Sequence, residues 1–302
     1  MSKHRTAAYF YLTLVALIWG VATYVIKATL VGIDPLPFLT YRFAISTLIA
    51  LPMLYFAKKQ LKTIFANFFL VFFYCFITTT FALGILFFGI DRTTVVDSAI
   101  ISAVGPLLTA FAGAWFLKET VTKREKLGMT LAFVGTLITV FEPVIAGKDN
   151  FQVTGNALVV GYVVVMAYAA VLAKKLVRKG VDALALTNVS FIIGLATILP
   201  FTLAESSAKD LLLTINHLPL TIHLGVWYMA VLSGTLAYAL WVRAQKSIEV
   251  SEAGLFNYLT PVFAAPLGIL LLGEKVNFAL LLGASLIIVG VVFAEIKEKK
   301  EG

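Results

Sequence analysis

The chain reads as an all-α integral membrane protein: ten transmembrane helices in two inverted five-helix repeats, with both termini in the cytoplasm. Three observations predict this. Of its 302 residues, 60% are hydrophobic and only 13% are charged, whereas a water-soluble domain carries about a quarter charged residues. Apolar stretches long enough to cross a ~30 Å hydrocarbon core as a helix recur along the whole length. Finally, a pattern that begins at Pro106 and ends at Glu119 returns at Pro261 and Glu274, 155 positions later.

The stretches follow one another with little between them. The first, 8–30, follows Lys3 and Arg5; it outruns a signal-peptide core, lacks a small-residue cleavage site, and is expected to be retained. The second, 36–57, closes on Lys58, Lys59 and Lys62. The third and fourth are 66–89 and 95–117, and Lys118, Lys123, Arg124 and Lys126 separate the fourth from the fifth at 124–142. The sixth, 154–174, runs into Lys174, Lys175, Arg178 and Lys179, and the remaining four are 183–204, 221–244, 251–272 and 276–295. All are too long and too uniformly apolar for the alternating strands of a β-barrel. The longest connection, 205–220, leaves no room for a water-soluble domain.

The net charge of +8 is topological. With the N-terminus inside, eighteen Lys and Arg fall on the cytoplasmic side; only Arg92, Lys148, Lys209 and Lys275 fall outside, and Lys27 and Arg42 lie within spans. Such a bias orients a membrane protein, so no nucleic-acid partner is expected. Cys75 stands alone and His4, His217 and His223 are scattered, which gives no disulfide and no metal-site spacing. No constellation suits a membrane enzyme, and no cofactor is expected. The expected partners are a small solute and the lipid bilayer, without an obligate protein partner.

The repeat extends beyond the Pro–Glu pattern, because Gly128 and Gly135 correspond to Gly283 and Gly290. Earlier positions align at slightly smaller offsets: Asp34 and Pro52 with Asp182 and Pro200, and Trp19 and Lys27 with Met166 and Lys174. The halves are 1–146 and 147–302. Five spans per half force the second half into the membrane from the opposite side. Each glycine pair is seven residues apart, hence on one helix face, and suits close helix approach. Pro106 lies ~20 Å along a helix from Glu119. It and Pro261 are expected to kink their helices and free the carbonyls of Ser102 and Asn257, which need a partner or a watery cavity. Tyr258 adjoins the second kink. Glu119 and Glu274 are expected to hold interfacial turns.

These residues resemble the EamA-type carriers of the drug/metabolite transporter superfamily. The two Pro–Glu–Gly patterns carry the resemblance, together with Leu17-Ile18-Trp19-Gly20 and Tyr41-Arg42-Phe43. It implies a central cavity open to one side at a time and a substrate among amino acids and other small metabolites, often moved outward. Ser190 and Met166 stand where the first half has Arg42 and Trp19, so any role of those two is not duplicated.

All sixteen Asp and Glu fall at span ends or in connections. An embedded acid would be the default proton relay, so its absence points away from a small four-helix multidrug antiporter and towards facilitated diffusion or weak coupling. Lys27 either snorkels to the headgroups or faces inward. Arg42 either fixes helix packing or faces the cavity, where it would attract a carboxylate by paired hydrogen bonds. The other substrate-binding candidates are Trp19, Tyr41, Tyr74, Thr78, Ser102, Asn188, Tyr238, Trp241, Asn257 and Tyr258. Tyr238 and Trp241 share a helix face and serve either core packing or stacking on a solute. Asn188 is either helix glue or a cavity donor. The function expected is secondary transport of small organic metabolites, amino acids favoured. The alternatives are a broad amphiphile exporter and a non-transporting receptor or assembly factor.

Overall fold

The computed structural model describes residues 3–118, 123–145, 150–244, 247 and 255–295, and among these there is no strand. Among the described residues, seven helices are long and apolar enough to cross a bilayer, and two shorter apolar helices, Phe256–Leu272 and Phe278–Phe293, join them. Large apolar side chains are exposed all over the surface, Phe56, Phe69 and Phe278 at 79% or more. This suits hydrocarbon, and the protein is an integral membrane protein.

Helix α1 is Lys3–Thr29 and α2 is Pro35–Phe56. Pro35 and Pro37 fit the first turn of α2, where a missing N–H costs nothing. Next come α3, Lys58–Ala66, and α4, Phe68–Arg92. The fourth apolar stretch is divided into α5, Val95–Ser102, and α6, Gly105–Leu117. The remaining elements are α7 (Lys123–Ile145), α8 (Asn150–Arg178), α9 (Ala183–Glu205), α10 (Ala208–His217), α11 (Leu220–Ala244), the 3-10 turn Leu255–Leu259, α12 (Thr260–Leu272) and α13 (Phe278–Glu295).

Three features differ from expectation. Pro106 and Pro261 do not kink continuous helices: each sits in the first turn of a new helix, α6 or α12, after a break. There the absent N–H is one that a helix start leaves unpaired anyway. Secondly, the connection 205–220 contains α10, which Ser207 caps by accepting from the Asp210 N–H at 3.1 Å. Thirdly, α4 and α11 each carry a π-helical segment, Phe76–Ala82 and Tyr228–Leu236, at similar distances from their starts.

The helices pack in defined pairs: α2 with α9, α4 with α8, α1 with α11 and α12, and α7 with α13. Hydroxyls bridge α2 and α9, where Thr40 and Thr202 are 2.7 Å apart and Thr47 donates to the Phe191 carbonyl at 3.2 Å. Thr80 and Thr197 tie α4 to α9 in the same way. Phe38, Phe43 and Phe87 are fully buried between these helices, and the rings of Phe38 and Phe87 meet edge to face at 4.9 Å. The α7–α13 crossing is glycine against glycine: a Cβ on Gly135 would lie 2.6 Å from the Gly283 carbonyl oxygen, and one on Gly290 would lie 2.5 Å from that of Gly128.

Candidate functional site

Arg42 lies two turns into α2 and is 4% exposed. Its Nε and Nη1 are buried with no hydrogen-bond partner, and so is the hydroxyl of Ser46. The two residues are four apart, hence on one face of α2. The guanidinium carbon lies 5.7 Å from the Phe43 ring and 5.8 Å from the Phe87 ring, a cation–π setting that supplies attraction without a hydrogen bond. The titratable groups that interact electrostatically with Arg42 are Tyr162 of α8 and Tyr238 of α11; Tyr238 in turn interacts with Tyr74 of α4. Helices from both halves of the sequence therefore converge on one cation. Burying a polar group without a hydrogen bond is costly, and burying a charge is costlier, so a guanidinium held this way is a natural anion receptor.

An aromatic wall adjoins it. The Trp19 ring lies 5.4 Å from Tyr238 and 5.5 Å from Trp241, and its indole N–H donates to the Ser233 carbonyl at 3.2 Å. Tyr228 donates to the Ile18 carbonyl at 2.8 Å, which fixes α1 against the π segment of α11. π turns leave carbonyls out of the α-helical ladder and recur at functional positions. Here they set Ser233 towards Trp19, and the Thr235 hydroxyl bonds the carbonyl five residues back, at Ala230.

Among the sequence-predicted residues, Trp19, Arg42, Tyr74, Tyr238 and Trp241 come together. Tyr41 does not join them: its hydroxyl is 3.0 Å from Nδ1 of His223. The Thr78 hydroxyl donates to the Tyr74 carbonyl of its own helix at 2.8 Å. Asn188 is buried in α9. Ser102 ends α5, and Asn257 and Tyr258 lie in the 3-10 turn, with Tyr258 packed against the cluster of Val104, Leu107, Ala132, Ile287 and Val291. Ser190, which stands opposite Arg42 in the repeat, pairs with Cys75 at 3.2 Å. Glu119 lies outside the described residues. Sequence reading missed Ser46 and Tyr162. Their spacing to Arg42 on α2 could have shown the first, while the second is a lone tyrosine in a run of valines.

A second polar cluster binds helix ends. Glu274 accepts from the Val95 and Val96 N–H groups at 2.7 and 2.9 Å, so a carboxylate caps the start of α5. Asp97 and Glu142 are each 1% exposed. Asp97 accepts from Gln152 at 2.7 Å and from Asn156 at 3.3 Å, and Glu142 accepts from Asn277. Asp97 and Glu142 are thus buried and hydrogen-bonded rather than facing headgroups, whereas Glu274 is half-buried and Asp34, Asp182 and Glu205 are exposed. Lys27 does not snorkel; its ammonium donates to the Ile90 and Asp91 carbonyls at 2.9 and 2.7 Å and closes the last turn of α4. Elsewhere, a cleft of about 450 Å³ between α2, α3, α4 and α9 is lined by apolar side chains and Lys58, and shares no residue with the Arg42 site.

An all-helical membrane protein whose helices converge on a buried polar site has the build of a transporter. The sequence model of the EamA-like transporter family matches residues 6–141 and again 153–295, and the chain belongs to that family. It is 28% identical over 213 residues to the uncharacterized transporter YyaM of Bacillus subtilis, covering 70% of this chain and 68% of that protein. An uncharacterized transporter of Archaeoglobus fulgidus is 24% identical over 287 residues, 95% of this chain and 96% of that one. A Salmonella typhimurium protein named as a probable amino-acid metabolite efflux pump is 23% identical over 295 residues, 93% and 92% of the two chains. One crystal structure superposes with a TM-score of 0.62 at 17% identity, covering 98% of this chain and 99% of that chain, a likeness of fold.

Proposed function

We propose that the chain is a secondary carrier, an exporter or facilitator of small organic metabolites with amino acids and related carboxylates favoured. It works by alternating access between two inverted five-helix repeats, 1–146 and 147–302, with ten membrane-crossing helices and both termini cytoplasmic. The observation that carries this reading is Arg42: a buried guanidinium without a hydrogen-bonding partner at Nε and Nη1, set among aromatic side chains from both halves. An arginine inside a span is costly, up to ~2.5–3.5 kcal/mol at the helix centre on insertion scales, and a carboxylate partner would offset this while it is bound.

Several observations support the inverted arrangement. The family model matches twice. The packing pairs α1–α11 and α8–α4 exchange under the repeat, as do α1–α12 and α8–α6. The π segments fall in α4 and α11, which correspond under it. On this topology the cluster of Lys27, Asp97, Glu142 and Glu274 lies at the external end. It joins α1, α4, α5, α7, α8 and α13 with the turn before α13, and so acts as an outer seal that must part when the carrier opens outward.

The Salmonella relative's name supports amino-acid metabolites as the first class to test. The aromatic wall of Trp19, Tyr238 and Trp241 favours a second reading, broad amphiphile efflux. Counterflow in proteoliposomes preloaded with a mixed pool of amino acids and carboxylic acids separates these readings. Saturable exchange confined to carboxylate-bearing solutes supports the first, and exchange of uncharged or cationic amphiphiles supports the second. Absence of any exchange from folded protein contradicts carrier function.

A further inference from the structure

We infer that the preferred substrate is a net organic anion, held through its carboxylate by Arg42 and Ser46, rather than a zwitterion, and that its movement carries charge across the membrane. This rests on the carrier reading and narrows its substrate to the related carboxylates, placing them ahead of the amino acids. The Arg42 Nε and Nη1 and the Ser46 hydroxyl are buried donors with no partner, one turn apart on the same face of α2. A carboxylate could take a guanidinium N–H bond and a hydroxyl bond from that face. Ser46 faces the π segment of α11, its oxygen 3.7 Å from the place a Cβ on Gly234 would occupy.

The remaining surroundings decide the charge. A zwitterion brings an ammonium group that needs an acidic partner in a medium of low dielectric constant. Among the described residues the titratable neighbours of Arg42 are tyrosines, Tyr162 and Tyr238. The buried acids are committed elsewhere, Asp97 to Gln152 and Asn156 and Glu142 to Asn277, and half-buried Glu274 is held at the α5 N-terminus. Phe43, Phe87, Tyr74, Tyr162 and Tyr238 suit the apolar body of such an acid but do not neutralise an ammonium. A substrate with one carboxylate and no ammonium, such as a 2-oxo acid or another small apolar monocarboxylate, matches the site in both charge and polarity. Each molecule moved alone then transfers one negative charge, whereas a zwitterion would transfer none.

The test uses the purified full-length carrier in proteoliposomes and two matched pairs of labelled probes: phenylpyruvate with phenylalanine, and 4-methyl-2-oxopentanoate with leucine. The 2-oxo acids are expected to exchange about tenfold faster than their amino acids at equal concentration. Under a valinomycin-set potassium potential they should redistribute by roughly tenfold per ~60 mV, the response of a single charge. Ser46→Ala should raise the half-saturating 2-oxo acid concentration by about threefold to tenfold. Arg42→Gln should abolish the preference, and Arg42→Lys should restore only part of it. Thermal unfolding of each variant checks that it is folded. Amino acids exchanging as fast as the oxo acids, with flux indifferent to potential, would overturn the inference and leave the carrier reading intact. If neither pair exchanges, the inference falls. If no member of the wider solute pool exchanges either, the carrier reading falls with it.

Discussion

Replacing Gly135 by alanine tests the packing of α7 on α13. A Cβ there would sit 2.6 Å from the Gly283 carbonyl oxygen and 2.9 Å from both the Ile287 nitrogen and its Cγ1. Separations under 3.0 Å essentially never occur for a real Cβ, and two of the three neighbours are backbone, which cannot rotate away. The helices must therefore separate by several tenths of an ångström along a crossing that also carries Gly128, Gly283 and Gly290. Overpacking of this kind costs ~1–3 kcal/mol, often more where backbone is involved. Because two of the three neighbours are backbone, the upper end of that range applies; alanine returns ~1 kcal/mol of helix propensity, so the net destabilisation should be ~2 kcal/mol, or about 4–6 °C in unfolding temperature. Gly84 in α4 supplies the control, since a Cβ there meets nothing within 4 Å. Gly84→Ala should leave the protein as stable or ~0.5–1 kcal/mol more stable. Thermal unfolding of the detergent-solubilised variants, read by intrinsic fluorescence, gives both values. If Gly135→Ala matches or exceeds the unsubstituted protein, α7 and α13 do not cross at these glycines.

Other expectations follow from the two polar clusters. Glu274→Ala strips both backbone donors at the start of α5 of their acceptor and should destabilise by ~2–4 kcal/mol; Glu274→Gln, which retains one acceptor oxygen, should cost about half as much in the same unfolding assay. Asn156→Ala withdraws a donor from buried Asp97 and from the Thr139 carbonyl and should lower stability by ~1–3 kcal/mol, with a larger loss than at the exposed position Thr130. Arg42→Ala and Tyr238→Ala should each reduce flux per folded molecule by about tenfold or more, whereas Glu274→Ala should act mainly on yield. Trp19→Phe removes the indole donor to the Ser233 carbonyl while keeping a ring against Tyr238, and a flux loss of about threefold to tenfold is expected from counterflow.

The helices were legible because hydropathy over ~20 residues is a strong signal. The stretches read at 36–57 and 183–204 are the helices Pro35–Phe56 and Ala183–Glu205. Breaks near Pro106 and Pro261 were legible too, but not their form: whether a proline kinks a helix or starts a new one depends on the turn before it. Helix α10 could have been read from Ser207 and Asp210, an N-cap three residues before a short acidic residue. The π segments, packed on by α1 and α2 in α11 and by α8 and α9 in α4, left no local trace in the sequence. Of the site, Arg42, Trp19 and Tyr238 stood out as polar or aromatic groups deep in apolar runs. Tyr162 could not be linked to Arg42, 120 positions away in the sequence, without the fold. Asp97 and Glu142 sit close to span ends in the sequence, where acids ordinarily meet water, and only the packing of Asn156 and Asn277 upon them shows them to be enclosed.

The central claim is that a carboxylate pairs with Arg42 during transport. Counterflow of labelled carboxylates by the unsubstituted carrier and by Arg42→Gln, each reconstituted at equal folded amounts, tests it most directly. The account predicts saturable exchange by the former and its loss, by about tenfold or more, in the latter. Equal exchange by both proteins would contradict it and leave Arg42 as a packing residue.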